Sequence, residues 1–412
     1  MNRFSSPVRL LVFLLAFSLF SSVSFGATRK KHQATPVRTK KSLLTKSRGS
    51  RVARAATVAR SGGRGRLRLS GRRATRGARA DSTVAGGPWS APTFADSTSG
   101  DSINGEDLVV RKAAVEALGP YNGSVVVADP HSGRILSIVN QSLAFQSGFQ
   151  PCSTIKVVAA LAGLSERIID RDTQVHLYGR YGMNLTNALA HSNNSYFANI
   201  GVKLGYDKIA YYARLFGLGE KAGLNIDAEQ PGFLPSAPPA NGGMGMMTSF
   251  GEGIKLTPLQ LTSLLSAVAN GGTLYYLQYP KSQAEAQHFT SRIKRQLPIG
   301  ELVPDLKPGM QGAVEYGTAR RAQSEPTEPI FGKTGTCTDR ATPTHLGWFG
   351  SFMEVGDRKL TVVVLLTGGR PVNGPVASGI AGSVYRNLNT QKYLANYNRS
   401  LTPAALLPGT GW

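Results

Sequence analysis

The sequence feature that most constrains the fold is an apolar, alanine-rich run at residues 157–164, which directly follows Ser153 and Lys156. The run contains no Pro, and its one Gly, Gly163, lies near its end. Such a run predicts a buried helix. Ser153 would lie in the first turn and Lys156 one turn later, and a spacing of three residues places both side chains on one face of the helix.

Ser-x-x-Lys at the start of a helix is a compact arrangement for nucleophilic catalysis. A hydroxyl is a poor nucleophile until a base removes its proton. A lysine in a dry pocket near other cations can lose its own proton and act as that base. The helix N-terminus adds positive potential where an oxyanion would form. Because a chain of this size holds about one or two such spacings by chance, the hypothesis needs support from elsewhere in the sequence.

The net charge of +23 would suggest a nucleic-acid partner if it were spread over all 412 residues. Residues 1–80 hold 20 Lys or Arg and no acidic residue, whereas the rest of the chain holds 27 basic and 24 acidic residues. The charge therefore belongs to the N-terminal part, and no specific nucleic-acid partner is predicted for the body. With six His and two Cys, and without a Walker loop, the sequence predicts no metal site and no cofactor.

The N-terminal part resembles an export segment followed by an unfolded one. Residues 1–26 combine a basic start with a short apolar stretch, which predicts a signal peptide or, alternatively, a membrane anchor. Residues 27–105 form a basic segment and a Ser/Gly/Pro-rich linker, which we expect to be disordered because few large apolar side chains are present. The basic segment would bind an anionic wall polymer or lipid, or serve as a solvated tether. The chain is thus expected in the periplasm or on the outer face of the cytoplasmic membrane.

The body, residues 106–395, is predicted to be an α+β catalytic domain, followed by a C-terminal tail at 396–412. Its N- and C-terminal segments would build one antiparallel sheet flanked by helices, with an all-helical subdomain inserted between them. The predicted strands are 123–129, 134–139, 330–336, 345–353 and 360–367. The predicted helices are 108–118, 157–164, 189–204, 207–216, 258–270 and 375–388.

Two further short motifs lie in the body. Ser192-Asn193-Asn194 lies within the predicted helix 189–204, and Lys333-Thr334-Gly335-Thr336 lies in the first of the late strands. Ser-x-x-Lys, Ser-x-Asn and Lys-Thr-Gly in this order are a known catalytic set. Considered one at a time, each residue has an ordinary structural explanation. Ser192 and Asn194 could simply cap a helix, and Lys333 could simply keep an edge strand soluble. Together the three motifs favour catalysis.

The chain resembles the transpeptidase domain of penicillin-binding proteins, which belong with the serine β-lactamases to the serine penicillin-recognising enzymes. The resemblance covers residues 123–388. It includes the opening hairpin, Gly251-Glu252-Gly253, and the stretch around Thr257-Pro258.

The resemblance implies a D,D-transpeptidase that acts on D-Ala-D-Ala stem peptides of peptidoglycan, with β-lactams as covalent inhibitors. Each motif residue then has a role. Ser153 would be acylated, Lys156 would accept its proton, and Ser192 would relay a proton to the leaving amine. Asn194 would orient Lys156, and Lys333 would keep the site electropositive. The substrate-binding residues would be Thr334, Gly335 and Thr336, and the backbone N–H groups of Ser153 and Thr336 would form the oxyanion hole. Gly335 is expected because a side chain there would block the substrate.

The two cysteines directly precede Ser153 and directly follow Thr336. The resemblance places the Lys-Thr-Gly strand beside the start of the serine's helix, and certain class A carbapenemases carry a disulfide at these two sites. A Cys152–Cys337 disulfide is therefore predicted in an oxidising compartment, with two buried thiols as the alternative.

Other functions on the same fold remain open. The enzyme could be a D,D-carboxypeptidase or a β-lactamase, or the chain could be a non-catalytic wall scaffold that uses its basic segment. A class A β-lactamase needs a Glu-x-x-x-Asn motif near the site. The nearest match, Glu220 and Asn225, is one residue too widely spaced.

Overall fold

The computed structural model describes residues 89–179, 181–323, 328–339, 342–396 and 405–406. The predictions for residues 1–26, 27–88 and most of the C-terminal tail lie outside these ranges. No helix among the described residues combines the length and the apolar character needed to cross a bilayer.

A five-stranded sheet forms the centre of the described domain, in the spatial order β2–β1–β9–β8–β7 with antiparallel neighbours throughout. Its strands come from both ends of the domain: β1 (Gly123–Ala128), β2 (Ile135–Val139), β7 (Ile330–Asp339), β8 (Thr344–Val355) and β9 (Arg358–Gly368). The predicted α+β class, with a sheet built from the two terminal segments, is confirmed. Among the described strands, β7 pairs with β8 alone and lies at the edge of the sheet.

Helices cover both faces of the sheet. Helix α1 (Leu108–Leu118) and helix α10 (Gly374–Thr390) pack on one face, and helix α7 (Pro258–Asn270) packs on the other. Alternate residues of β9 join different cores: Val362 and Val364 pack with α1 and α10, whereas Val363 and Leu365 pack with α7. Burial on both faces explains why β9 is a continuous apolar run rather than an alternating one.

The remaining elements lie mostly between β2 and β7. They comprise α2 (Gln141–Ala144), a 3₁₀ turn at Cys152–Ile155, α3 (Lys156–Ser165), β3 (Val175–Tyr178), β4 (Tyr181–Met183), α4 (Leu185–Ala190), α5 (Asn194–Leu215), α6 (Gly243–Phe250), β5 (Thr273–Tyr275), α8 (Gln283–Gln287), β6 (Arg292–Gln296), α9 (Val303–Glu315), a 3₁₀ turn at Arg320–Ala322, α11 (Tyr393–Asn396) and β10 (Ala405–Leu406). The inserted part is therefore mainly helical, but it also contains the β3–β4 hairpin and strands β5 and β6, which were not predicted.

The stretch from residue 89 to residue 105 packs against the domain, although its composition predicted a linker. Both carboxylate oxygens of Asp101 accept hydrogen bonds, from Arg111 Nη2 at 2.8 Å and from the backbone N–H groups of Asn140 and Gln141. The Thr93 carbonyl accepts from the N–H of Asn122 at 2.9 Å. Short polar side chains here satisfy backbone groups of the sheet domain, which composition alone does not reveal. Residues 89–105 therefore pack with the domain that was predicted to begin at residue 106.

Candidate active site

Lys156 lies at the centre of a compact polar cluster inside an otherwise apolar region. Its Nζ lies 3.1 Å from Ser153 Oγ, 2.6 Å from Asn194 Oδ1, 2.7 Å from the Ser192 carbonyl oxygen and 3.1 Å from Ser192 Oγ. The Phe197 ring covers the same nitrogen at 5.6 Å from its centroid. Lys156 is fully buried, whereas Ser153 is partly exposed. Of this pair, only the hydroxyl is open to an incoming molecule.

A 3₁₀ turn and the start of α3 position Ser153 and Lys156. Ser153 lies in the turn Cys152–Ile155, and α3 itself begins at Lys156. All of α3 up to Leu164 is buried, as the apolar run predicted. Cys152 has φ of +52°, a left-handed conformation that is rare outside glycine. Such backbone strain next to a reactive group is typical of functional sites, where the surrounding structure holds it in place.

Ser192-Asn193-Asn194 lies in a break between two helices. The predicted single helix over residues 189–204 is wrong: α4 ends at Ala190, and α5 begins at Asn194 with Asn193 as its N-cap, accepting from the N–H of Tyr196 at 2.8 Å. Ser192 has φ of +55°. This break directs both the Ser192 carbonyl and the Asn194 side chain at Lys156, which a continuous helix would not do.

Lys333, Thr334, Gly335 and Thr336 lie on β7, at the free edge of the sheet. Lys333 is buried, with its Nζ 3.2 Å from the Thr334 carbonyl oxygen. Thr334 is also buried, and its hydroxyl lies 2.6 Å from that of Thr318. Thr336 is exposed, and its Oγ1 accepts from the N–H of Gly374 at 2.8 Å. Of the two threonines, Thr336 is therefore the one open to solvent.

Strand β7 and the Ser153 turn are joined covalently. The structure contains the predicted disulfide between Cys152 and Cys337, with Cα atoms 5.6 Å apart. Because the bridged residues flank Ser153 and Thr336, the disulfide holds the Ser-x-x-Lys turn against the Lys-Thr-Gly strand. The three motifs, separated by up to 180 residues, therefore meet at one site.

Comparison with known proteins identifies the family of this chain. The family model for the penicillin binding protein transpeptidase domain matches residues 123–389. The chain belongs to this family.

Several relatives of the transpeptidase domain are known. Stage V sporulation protein D of Bacillus subtilis is 27% identical over 311 residues, covering 66% of this chain and 48% of that protein. Peptidoglycan D,D-transpeptidase MrdA of Acinetobacter baumannii is 25% identical over 303 residues, covering 57% and 45%. The chain thus spans about half the length of these curated relatives. Pseudomonas aeruginosa PBP2, solved in complex with WCK 5153, has a similar fold, with a TM-score of 0.59 at 22% identity over 71% of this chain and 78% of that one.

Burial lowers the pKa of both motif lysines, Lys156 and Lys333. Burial, and after it the positive charge of Lys333, lowers the pKa of Lys156 to about 6. Burial lowers the pKa of Lys333 to about 7. At neutral pH Lys156 is therefore mostly an uncharged amine. Binding of an anion beside Lys333 would favour its charged form and so raise its pKa.

The lowered pKa of Lys156 predicts how the rate of Ser153 acylation depends on pH on the acidic side. We expect the second-order rate of Ser153 acylation to fall as the pH drops through about 6, because protonated Lys156 cannot accept a proton from Ser153. The rate should decrease about tenfold for each further pH unit. Labelling by a penicillin at subsaturating concentration, followed from pH 4.5 to 8, measures this dependence. A rate that stays constant down to pH 4.5 would show that Lys156 is not the base.

The packing of the protein itself requires a glycine at position 335. A Cβ at this position would lie 2.9 Å from the Pro151 carbonyl oxygen, 3.1 Å from Trp348 Cβ and 3.2 Å from Thr154 Cγ2. The missing side chain therefore allows β7 to approach the turn that carries Ser153. This close packing is a second reason for glycine at this position, beside the predicted approach of the substrate.

Gly335→Ala tests this close approach. We expect the variant to push β7 away from the Ser153 turn, to lower the acylation rate about tenfold or more, and to destabilise the domain by about 1–3 kcal/mol. Gly182→Ala is the matched control, because its Cβ would meet only ordinary contacts of 3.5 Å or longer. Labelling kinetics and urea denaturation of both variants measure the two effects. Equal behaviour of the two variants would contradict the steric explanation.

Two contributors to the site were not identified from the sequence. Thr318 hydrogen bonds to the Thr334 hydroxyl, and Phe197 covers Lys156. Phe197 follows Asn194 by three residues and so lies on the same face of α5, which is a usable signal. Thr318 lies 16 residues before Thr334, and only the folded chain brings the two hydroxyls together.

The nearest match to a β-lactamase glutamate lies in a different network. Glu220 forms ion pairs with Arg295 and Lys294, and the Asn225 amide hydrogen bonds to the backbone of Tyr279. Among the described residues, no group of His, Cys, Asp and Glu has the arrangement of a metal site.

Proposed function

We propose that the chain is a penicillin-sensitive peptidoglycan D,D-transpeptidase that forms an acyl-enzyme on Ser153 and acts outside the cytoplasm. The observation that carries this proposal is the position of Lys156 Nζ, 3.1 Å from Ser153 Oγ in a buried cluster. The Ser192 carbonyl and Asn194 Oδ1 can only accept hydrogen bonds, so they use two N–H groups of the amine. An uncharged amine then has its lone pair free for the hydrogen of a neighbouring hydroxyl.

Acylation follows from this arrangement. Lys156 takes the proton of Ser153, and Ser153 Oγ attacks the carbonyl carbon between the two D-Ala residues. The backbone N–H groups of Ser153 and Thr336 would hold the oxyanion, since the disulfide keeps the turn and the strand together. As the C–N bond breaks, the leaving D-Ala takes a proton through Ser192, whose Oγ lies 3.1 Å from Lys156 Nζ. An ester on Ser153 and free D-Ala result.

The strand side of the site would hold the substrate carboxylate. Lys333 supplies positive charge, and the exposed Thr336 hydroxyl can donate to the carboxylate. The buried Thr334 would support this contact through Thr318. An extended peptide can then pair along the free edge of β7, because main-chain groups at a sheet edge are available for an added strand. A β-lactam would enter as a mimic of this peptide and remain as the acyl adduct.

The second half of the reaction distinguishes the proposal from its alternatives. An amine that attacks the ester gives transpeptidation, whereas water gives carboxypeptidase or β-lactamase activity. Incubation with a D-Ala-D-Ala peptide and an excess of a labelled D-amino acid should release D-Ala and place the label at the peptide C-terminus. Release of D-Ala without incorporation would identify a carboxypeptidase, and rapid hydrolysis of a chromogenic cephalosporin would identify a β-lactamase. If neither D-Ala release, hydrolysis nor acylation occurs, the chain is a non-catalytic scaffold.

A further inference from the structure

A groove of about 600 Å³ runs beside the second half of α5, and none of the motif residues lines it. One wall is the face of α5 that carries Asp207, Tyr211 and Arg214. Their spacing of four and three residues places these side chains on one side of the helix. The opposite wall is the loop segment 232–234, with Phe233 at its centre. Each wall of the groove thus carries an aromatic side chain.

Contacts between and behind its walls preform the groove. The Tyr206 hydroxyl donates to the Pro235 carbonyl, which holds the loop wall against α5. The backbones of Phe233 and Lys255 exchange two hydrogen bonds of 2.8 Å each. The two aromatic residues nevertheless stay open to solvent, since Tyr211 is 57% exposed and Phe233 is 53% exposed. A preformed groove with apolar surface and a few polar groups is typical of a ligand site.

The charges that line the groove balance one another. Glu220 and Arg295 form a bidentate pair, with N–O distances of 2.6 and 2.9 Å. Asp207 and Arg214 are exposed, and neither forms an ion pair within the described ranges. A polyanion or a polycation would meet as many like charges as opposite ones. A neutral ligand with hydroxyl groups fits better, because a hydroxyl can donate to the carboxylate and accept from the guanidinium.

An oligosaccharide has the two kinds of surface that this groove offers. The C–H face of a sugar ring is apolar and packs on the face of an aromatic ring. The hydroxyl and amide groups around the edge of the sugar form hydrogen bonds with charged side chains. Tyr211 and Phe233 supply the first kind of contact, and Asp207 and Arg214 supply the second.

The groove adjoins the surroundings of Ser153 through Phe233. This residue also lines a neighbouring cavity, together with Gln150 and Cys337. Cys337 is bonded to Cys152, so that cavity reaches the turn that carries Ser153. A stem peptide of five residues spans at most about 18 Å. A glycan strand whose stem peptide reaches the nucleophile must therefore cross the surface nearby.

We propose that the groove between α5 and residues 232–234 binds the glycan strand of peptidoglycan. Tyr211 and Phe233 are its stacking surfaces. Asp207 and Arg214 are its hydrogen-bonding residues. The proposal rests on the proposed function, because it concerns the polymer that carries the D-Ala-D-Ala stem peptide. It gives the substrate a second contact that takes no part in the acyl transfer.

Chitotetraose, a neutral tetramer of β-1,4-linked N-acetylglucosamine, tests the groove without involving Ser153. An NMR titration of the wild-type protein should give a Kd of about 1 mM. Because the ligand is neutral, the Kd should change little with the salt concentration. Tyr211→Ala should weaken binding about tenfold, since it removes one stacking surface. Tyr178→Ala, which changes an exposed tyrosine of β3 outside the groove, should keep the wild-type Kd.

The possible outcomes separate the inference from the proposed function. A wild-type Kd above about 10 mM would overturn the inference, even if penicillin labels Ser153 normally. The same holds if Tyr211→Ala keeps the wild-type Kd, or if binding is lost on adding salt. If Tyr211→Ala does not fold, Phe233→Ala on the opposite wall should show the same tenfold loss. Absence of penicillin labelling would overturn the proposed function, and the Kd values would still decide whether the groove binds glycan.

Discussion

Replacing Lys156 by Met is expected to lower the acylation rate of Ser153 by roughly 10²–10⁴-fold, the usual contribution of a general base. Met keeps most of the volume of the buried side chain and removes the amine that lies 3.1 Å from Ser153 Oγ. The Ser192 carbonyl and Asn194 Oδ1 lose their shared donor at the same time. Lys156→Arg should be similarly slow, because a guanidinium does not give up its proton in this pH range.

The rate of labelling by a fluorescent penicillin measures this effect at pH 7.5. Lys203→Met is the matched control, because Lys203 is an exposed lysine on α5 and is not among the hydrogen-bond partners of Lys156. Circular dichroism establishes that each variant is folded. A Lys156→Met protein that is folded and labels within tenfold of the wild-type rate would exclude Lys156 as the base.

Removal of the disulfide has the largest expected effect on stability. The bridge closes a loop with a sequence separation of 185 residues. Constraint of the unfolded chain by such a loop is worth about 5 kcal/mol at most. A Cys152→Ala, Cys337→Ala double variant should therefore lower the free energy of unfolding by several kcal/mol. It should also slow acylation, because Cys152 would no longer be held in its left-handed conformation beside Ser153.

Urea denaturation with and without a reductant measures the contribution of the disulfide. The reductant should bring the wild-type protein to the stability of the double variant and leave the double variant unchanged. Unfolding at the same urea concentration in all four samples would show that the bridge contributes nothing. A mass that does not increase by two hydrogens on reduction would show that the bridge is absent from the protein in solution.

Elements with strong local signals were predictable from the sequence. Helix α1 begins and ends where predicted, and α7 begins after Thr257 because Thr257 and Gln260 form a capping box with Pro at the first helical position. The late strands were located to within a few residues at each end. In β9, burial on both faces makes the strand a continuous apolar run. The three motifs were recognised because each joins a short pattern to a specific chemical role, whereas the disulfide was predicted from the resemblance to enzymes that carry one at the same two sites.

Features that depend on tertiary contacts were not predictable. The predicted helix over residues 189–204 overlooked Ser192, Asn193 and Asn194, whose short polar side chains favour helix caps over helix interiors. The contacts of Ser192 and Asn194 with Lys156 then fix the place of the break. Strands β5 and β6 are short and partly exposed, so their pattern is weak. Residues 89–105 have the composition of a linker, and it is their hydrogen bonds to the sheet domain that order them.

The central claim is that Ser153 is the nucleophile of a slowly deacylating penicillin-binding site. Intact-protein mass spectrometry after incubation with benzylpenicillin tests it most directly, with a chromogenic cephalosporin assayed in parallel and Ser147→Ala, an exposed loop serine, as the control variant. We expect a stable adduct of one intact penicillin in the wild-type protein and in Ser147→Ala, none in Ser153→Ala, and little cephalosporin hydrolysis. An adduct that persists in Ser153→Ala, or fast hydrolysis without an adduct in the wild-type protein, would contradict the claim.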